Sequence, residues 1–268
     1  MAILFFRSPH LHAPRFPLAA ESVNTLFGAE AFRLRLLELI AGAEKRIYLT
    51  ALYLQDDEAG REVLDALHAA KALRPGLDIR VLVDWHRAQR GLIGAGKQAG
   101  NAAWYRALTS ERATEAPIYG VPVQTRELFG VLHLKGFVID DRVLYSGASL
   151  NNVYLQKFDR YRFDRYHELH CAALADCMAD YVRRMVAAKA VHRLDLPECP
   201  ATRSLRHEIR TFRKKLEHSV YHGEMAHRDG LAVEALVGVG RNNPLNRRIL
   251  ELLAGARACR DLHAIFQF

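Results

Sequence analysis

Cysteine and long apolar runs are what this sequence of 268 residues has little of. Its four cysteines lack paired C-x-x-C spacing, which predicts ordinary reduced thiols rather than a disulfide framework or a zinc site. No stretch approaches the roughly 18 uninterrupted apolar residues of a membrane-spanning helix, and the first residues lack the basic and long apolar segments of a signal peptide. We therefore predict a cytoplasmic protein that associates with the inner membrane only peripherally.

Residue patterns typical of metal sites are weak as well. His167 and His170 do not complete the H-E-x-x-H pattern. His218 and His222 have the spacing of two ligands on one helix face, with His227 beyond them, but a solvated segment explains all three. The sequence therefore predicts no metal site and no cofactor.

Size and charge limit the possible functions without choosing among them. With 50% apolar residues, the chain can bury a sizeable core in one or two domains. Its 38 basic and 30 acidic residues give a net charge of +8, which favours an anionic partner such as a lipid surface, a nucleotide or a nucleic acid. Such a charge is also common on a surface that is merely solvated.

Helices and strands alternate along the chain. Apolar spacing predicts helices at 29–43, 58–72 and 176–190, and strands at 47–54, 78–84, around Val121, in the motif described next and at 166–173. The strand at 78–84 is almost continuously apolar, as expected of a strand buried on both faces. This alternation predicts an α/β fold with a mixed sheet.

One stretch concentrates the residues that carry chemistry. His133, Lys135 and Asp140 form the spacing H-x-K-x4-D, and Ser149 and Asn151 follow after a short apolar run. An imidazole can attack phosphorus or protonate a leaving oxygen near neutral pH. A lysine two positions away on a strand lies on the same face, so both groups can reach one phosphate. The alternative is a strand that merely exposes a histidine and a lysine.

This motif resembles the signature of the phospholipase D superfamily. The segments 81–91, 119–123, 132–154 and 161–167 make the resemblance closer to one branch, the bacterial phospholipase D-like phosphatidylserine synthases. The resemblance covers nearly the whole chain from about residue 51 onward. It implies an α/β fold with a phospholipase D-like mixed β-sheet flanked by helices, one complete half and the start of a second.

The resemblance also implies a reaction and roles for the motif residues. His133 would attack CDP-diacylglycerol, release CMP and form a phosphatidyl-histidine intermediate, from which the hydroxyl of L-serine takes the phosphatidyl group. Lys135, Ser149 and Asn151 would stabilise charge on the phosphoryl oxygens. Asp140 is expected to shape the turn and pair with a basic group rather than to handle protons.

Asp164 is the candidate for orienting the imidazole of His133. An equally open interpretation is that Asp164 is a surface salt-bridge partner of one of the arginines that surround it in the sequence. Those arginines are Arg160, Arg162 and Arg165.

A glycine-rich segment at 91–98 nearly matches the phosphate-binding pattern G-x-x-x-x-G-K-[ST]. Gln98 replaces the hydroxyl residue, and the polar stretch 86–90 separates the loop from its strand, so we do not predict a nucleoside triphosphate site. Beside this loop, Arg87 and Arg90 could bind the diphosphate of a CDP-lipid. A solvated basic turn is the alternative.

A short repeat bears on the domain organisation. The heptapeptide at 37–43 recurs, with one Ile-to-Leu change, at 250–256. Family members have two homologous halves with one motif each, and a second motif would be expected about 100 residues beyond the second copy. We predict a catalytic half at 1–192, a helical connector at 193–235 and a truncated start of a second half at 236–268.

With one motif, the chain supplies one histidine, so full turnover is expected to need a homodimer or a missing C-terminal half; we favour truncation. The leading hypothesis is a phosphatidylserine synthase acting on CDP-diacylglycerol and serine at an anionic membrane surface, with no specific nucleic acid. Alternatives are a cardiolipin synthase-like transferase or a nuclease on the same scaffold, or an inactive fragment that binds anionic lipid.

Overall fold

A computed structural model describes residues 13–90, 100–223, 231–238 and 243–255. The helices are α1 (Ala29–Gly42), α2 (Glu58–Leu73), α3 (Trp85–Gln89), α4 (Asn101–Glu111), α5 (Ala172–Val186), α6 (Arg206–Glu217) and α7 (Pro244–Gly255). The strands are β1 (Arg15–Pro17), β2 (Val23–Leu26), β3 (Arg46–Thr50), β4 (Asp78–Asp84), β5 (Ile118–Val121), β6 (Gly136–Ile139), β7 (Arg142–Tyr145), β8 (Tyr166–His170), β9 (His192–Arg193) and β10 (Ala232–Glu234). Short 3-10 turns lie at Ala20–Ser22 and Glu127–Phe129.

Eight of these strands form one mixed sheet in the order β2-β8-β7-β6-β3-β4-β5-β9. β3, β4 and β5 are parallel to one another, and every other neighbouring pair in this sheet is antiparallel. β1 and β10 form a separate antiparallel pair. The α/β class with a mixed sheet flanked by helices is thereby confirmed.

Helices cover both faces of the sheet at β6. The ring of Phe137 lies 6.0 Å from the ring of Phe32 in α1. Gly136, the preceding residue, faces the other way, because a Cβ atom there would come within 2.5 Å of Met178 in α5. Since successive side chains of a strand point to opposite faces, α1 and α5 lie on opposite sides of the sheet. All four residues of β6 are consequently buried.

The two ends of the sheet are distinguished by strand direction. We call the edge where β3, β4 and β5 finish the carboxyl end of the sheet, and the edge where they start the amino end. Because β6 runs antiparallel to β3, its first residue, Gly136, lies at the carboxyl end opposite Thr50. Its last residue, Ile139, lies at the amino end opposite Ile47. β8 likewise begins at the carboxyl end.

The predicted elements before residue 90 are close to those observed, and later ones differ more. The strand predicted at 78–84 is β4, and the first two predicted helices are α1 and α2. The predicted helix at 176–190 is wrong in position, because α5 begins at Ala172 and already buries Leu174. The apolar residues after His170 therefore belong to the helix and do not prolong the strand. Helices α3 and α4 were not predicted.

The region from Arg193 onward is only partly helical. Within the predicted helical connector, α6 is the helix that the structure describes, and it buries Ile209, Phe212 and Leu216 against the core. Arg193 pairs with Tyr119 of β5, which ties the start of the connector to the main sheet. The boundaries at 192 and 235 remain predictions. In the described ranges no helix combines the length and hydropathy needed to cross a bilayer.

Candidate active site

Lys135 is the buried cation of the motif. It lies immediately before β6, on backbone that is not part of the strand, so the prediction that His133 and Lys135 share a strand is wrong. Gly136, the first residue of β6, has a φ of 114°, which departs from regular strand geometry and marks the bend between Lys135 and the strand. Lys135 is only 6% exposed.

The Lys135 ammonium is held by two acceptors from the loop after β7. Its Nζ donates to Ser149 Oγ over 3.2 Å and to the Ala148 carbonyl over 3.3 Å. Burial lowers the pKa of Lys135 to about 8, against the opposing influence of the Asp164 carboxylate. An ammonium has three donors, so one remains in this arrangement for a phosphoryl oxygen.

His133 differs from Lys135 because its side chain is exposed. Its pKa is nevertheless lowered, first by partial removal from water and second by the charge of Lys135. A lowered pKa keeps the imidazole neutral at pH 7, which is the form that can act as a nucleophile. The structure therefore places an accessible neutral imidazole next to a buried cation.

Ser149 and Asn151 lie in the loop that follows β7, at the same end of the sheet. Ser149 is buried against Lys135. Asn151 accepts a hydrogen bond from the Tyr154 backbone N–H over 2.9 Å and donates its Nδ2 to the Tyr53 hydroxyl over 3.4 Å. Tyr53 follows β3, so this contact joins the loop to the centre of the sheet.

Tyr53 is a residue that the sequence analysis missed. The guanidinium of Arg87 lies 5.1 Å from the centre of the Tyr53 ring, which is the geometry of a cation–π contact. Burial raises the pKa of Tyr53, so its hydroxyl is protonated at neutral pH. Tyr53 thereby connects Arg87 to Asn151. The available signal was its position just beyond a central strand, where functional side chains often gather.

Arg87 and Arg90 share one carboxylate. Glu127 Oε1 lies 3.5 Å from Arg87 Nη1 and 3.0 Å from Arg90 Nη2. Their proximity agrees with a role in binding an anion, and Glu127 balances part of their charge. The loop at 91–98, the near match to a phosphate-binding pattern, falls outside the described residues apart from its flanks.

Asp84 connects α3, the helix that carries Arg87, to the segment just before His133. The sequence analysis did not single it out. One carboxylate oxygen caps α3 by accepting from the Arg87 backbone N–H over 2.9 Å. The other accepts from the Leu132 backbone N–H over 2.7 Å, one residue before His133. Asp84 is fully buried, and burial raises its pKa while these hydrogen bonds oppose the shift.

Asp164 lies near this group, since its carboxylate influences the pKa of Lys135. It accepts a hydrogen bond from the Arg165 backbone N–H over 2.7 Å. Of the three arginines proposed as ion-pair partners, Arg162 donates to the Tyr154 hydroxyl over 2.9 Å. The role of Asp164 in orienting the imidazole stays a prediction.

Asp140 is not brought to the other motif residues. It lies beyond the far end of β6, and four strand residues at about 3.3 Å each separate it from Lys135. Its carboxylate accepts three backbone N–H groups, from Glu44, Lys45 and Arg46, at 2.8, 2.7 and 3.0 Å. Its φ of 49° lies in the left-handed region, which aspartate tolerates in a tight turn. Asp140 therefore holds the turn between β6 and β7 against the loop before β3.

Two open cavities, of about 460 and 310 Å³, lie towards the amino end of the sheet, around Asp78 and around Asp140, and neither is lined by His133 or Lys135. In the described part of the chain, no group of three His, Cys, Asp or Glu side chains could hold a metal ion. His218 and His222 are described, and His227 falls outside the described residues.

Comparison with known proteins adds to this geometry. Residues 36–159 match the family model described as "Cardiolipin synthase, PLD-like domain". The chain is 46% identical over 243 residues to the CDP-diacylglycerol–serine O-phosphatidyltransferase of Escherichia coli, covering 90% of this chain and 54% of that protein. It is 46% identical over 253 residues to the corresponding enzyme of Haemophilus influenzae, covering 89% and 54%.

A solved structure agrees in fold. The crystal structure of phosphatidylserine synthase from Haemophilus influenzae superposes with a TM-score of 0.85 at 43% identity, covering 91% of this chain and 55% of that one. The chain thus spans about half the length of the curated relatives that it matches.

Proposed function

This chain belongs to the phospholipase D superfamily, in the branch of the bacterial phosphatidylserine synthases, and we propose that it carries one of the two catalytic halves of a CDP-diacylglycerol–serine O-phosphatidyltransferase. The observation that carries this proposal is the pairing of an exposed neutral imidazole, His133, with the buried ammonium of Lys135. The same relatives do not favour the nuclease or cardiolipin synthase-like alternatives.

The first step is displacement at the phosphatidyl phosphorus of CDP-diacylglycerol. The neutral imidazole of His133 forms an N–P bond while the P–O bond to CMP breaks, and the ring proton passes to solvent. Negative charge on the phosphoryl oxygens meets the Lys135 ammonium, with Ser149 beside it and Asn151 further along the same loop. Donors placed in advance where charge develops stabilise such a transition state without reorganisation.

One histidine is sufficient for this first step. The leaving group is the phosphate of CMP, and a phosphate monoester has a second pKa of about 6, so it departs near pH 7 without needing a proton. We therefore propose that the single-motif chain forms the phosphatidyl-histidine intermediate and releases CMP by itself. Arg87 and Arg90 would bind the diphosphate before the bond breaks.

The second step makes a different demand. The serine hydroxyl has to lose its proton as it attacks phosphorus, and His133 is by then occupied by the phosphatidyl group. A second histidine would act as the general base. We propose that this histidine comes from a second half of the protein, or from a second copy of the chain in a homodimer.

The lipid substrate places this reaction at a membrane. CDP-diacylglycerol is held in the bilayer by its acyl chains, and the net charge of +8 favours an anionic surface. We therefore propose peripheral association with the cytoplasmic face of the inner membrane.

Covalent labelling tests the proposal directly. The purified chain is mixed with CDP-diacylglycerol in detergent micelles without serine, and CMP release and intact protein mass are followed. We expect an equimolar burst of CMP and a phosphatidyl adduct on His133. His133→Asn should show neither.

His170→Asn is the matched control, because His170 is also exposed but lies at the other end of β8. It should label like the parent chain. An adduct that persists in His133→Asn, or that maps to another residue, would contradict the mechanism. Adding labelled serine and a second half in trans should then convert the adduct to phosphatidylserine.

A further inference from the structure

Exposed phenylalanines are concentrated at one end of the molecule. In the described residues, the strongly exposed phenylalanines are between 56% and 88% accessible to solvent. They are Phe27, Phe129, Phe158 and Phe163. Such exposure is unusual for large aromatic rings, and clusters of exposed apolar side chains commonly mark an interaction surface.

All four lie at the carboxyl end of the sheet, where His133 is. Phe27 follows β2, whose last residue, Leu26, pairs with Tyr166 at the start of β8. Phe163 lies just before Tyr166 in the same region.

The other two phenylalanines lie on loops of the site. Phe129 ends the 3-10 turn that precedes His133. Phe158 lies in the loop between Asn151 and Asp164. Residues from three separate parts of the chain thus place exposed aromatic rings at the end of the sheet where His133 lies.

Exposed arginines are interleaved with these rings. Arg126, Arg160 and Arg165 are all exposed and lie in the same loops as Phe129, Phe158 and Phe163. The combination of exposed aromatic rings and exposed cations is complementary to an anionic bilayer, whose interface accepts rings below the level of its head groups.

The substrate explains why these groups would surround His133. The phosphorus of a membrane lipid lies at the depth of the head groups, and the imidazole must reach it while the acyl chains stay in the bilayer. Apolar side chains at an interface are buried by roughly 5–10 Å. Rings inserted to that depth around His133 would bring its imidazole to the level of the phosphate.

We propose that Phe27, Phe129, Phe158 and Phe163, with Arg126, Arg160 and Arg165, form a membrane-docking rim by which the chain binds an anionic bilayer around His133. This inference rests on the proposed function for the identity of the lipid substrate. It commits to the bilayer as the occupant of this surface. A second copy of the chain is the competing occupant, and the test below distinguishes the two.

Vesicle binding without substrate is the test. Co-sedimentation compares vesicles of phosphatidylcholine with and without phosphatidylglycerol, using the parent chain and the double variant Phe158→Ser/Phe163→Ser. We expect the parent to bind the anionic vesicles and the double variant to bind them at least tenfold more weakly. Arg160→Gln/Arg165→Gln should bind more weakly only to the anionic vesicles.

Leu73→Ser is the matched control, since Leu73 is equally exposed but ends α2 at the amino end of the sheet. It should bind vesicles like the parent. Light scattering of the same proteins reports the oligomeric state. Failure of the parent to bind anionic vesicles, equal binding by the double variant, or a parent dimer that the double variant disrupts while vesicle binding persists, would each overturn the proposal.

The two proposals fail separately. CMP release by the parent chain from a short-chain, water-soluble CDP-diacylglycerol reports the chemistry and does not involve a vesicle. If this release is absent while the double variant still loses vesicle binding, the proposed function fails and the docking rim stands. If release occurs but vesicle binding is unaffected by the substitutions, the docking rim fails alone.

Discussion

Lys135 and Asp140 belong to one short motif and lie at opposite ends of the same strand, yet their charges differ in burial and in hydrogen-bond partners. Lys135 is buried, its pKa is lowered, and two neutral oxygens accept its hydrogen bonds. Asp140 receives three backbone N–H groups in a turn far from the imidazole. The spacing of the motif therefore combines two purposes: the residues before β6 provide chemistry, and the residue after it secures the strand that carries them.

The largest effect is expected from removing the buried cation. Lys135→Met should slow CMP release and adduct formation by about 100- to 1,000-fold, because the transition-state charge loses a donor placed in advance. Lys45→Met, at the exposed amino end beside Asp140, is the control and should leave the rate unchanged. A rate within a few-fold of the parent in Lys135→Met would show that the two ends are not specialised in this way.

The buried charge should also appear in the pH dependence of stability. The pKa of Lys135 is about 8 in the folded chain and 10.5 in the reference state, so the unfolded chain binds more protons between these values. The free energy of unfolding should therefore gain up to about 3 kcal/mol from this group as pH rises through that window. Urea unfolding of the parent and of Lys135→Met is compared at about pH 7.5 and about pH 10. The gain in the free energy of unfolding should be absent in the variant.

The pH dependence of CMP release should report the protonation of both Lys135 and His133. CMP release should decline on the acid side as the imidazole becomes protonated, at a lower pH than for an ordinary histidine because the pKa of His133 is lowered, and on the alkaline side above about pH 8, as Lys135 loses its proton. The pH profile of kcat/KM on the short-chain substrate measures both limbs. If an active Lys135→Arg variant shows the alkaline limb at the same pH, Lys135 is not the group that causes it.

At the other end of β6, substitution should change stability and leave the chemistry intact. Asp140→Ala should lower the free energy of unfolding by about 1–3 kcal/mol, because three backbone N–H groups lose a charged acceptor. Asp141→Asn, whose ion-pair contacts are longer than 3.6 Å, is the matched control and should cost under about 0.5 kcal/mol. Urea unfolding and the CMP burst per folded molecule measure the two effects. A lost burst in folded Asp140→Ala would assign Asp140 to the chemistry.

The smallest effects concern the arginines at the carboxyl end. Arg87→Gln should raise KM for CDP-diacylglycerol by about tenfold and Arg90→Gln by about threefold, since each removes a charged hydrogen bond to the diphosphate. Arg87 is the more constrained, being held over Tyr53. Steady-state CMP release with the second half supplied in trans gives both values. A change in kcat without a change in KM would place these arginines in the bond-breaking step instead.

Local patterns were sufficient for the elements of the sheet centre. The apolar strand β4 and helices α1 and α2 follow directly from periodicity and from the turn residues between them. The start of α5 was placed too late, because the apolar residues after His170 fit either a strand or a helix.

Contacts between distant parts of the chain could not be derived in this way. The family resemblance implied that Lys135, Ser149 and Asn151 act together, but Tyr53 and Asp84 join the site only through the pairing of β3, β4 and β6. The amides that hold Asp140 come from residues nearly a hundred positions earlier. Periodicity contains no information on which strands become neighbours.

The repeated heptapeptide shows the same limit. In α1, Leu39 and Ile40 are buried against the sheet. In α7, the corresponding Leu252 and Leu253 are 43% and 51% exposed. The sequence predicts a helix correctly in both places, but an identical pattern does not determine what the helix packs against.

The two hydrogen bonds of Asp84 have a consequence for how this protein can change over generations. Because one side chain anchors both α3 and the residue before His133, a shift of the arginines to suit a new head group would also move the nucleophile. Selection for a different lipid specificity would therefore act more easily on residues that do not depend on this joint. Laboratory libraries that hold Asp84 constant should retain a larger share of active variants than libraries that randomise it.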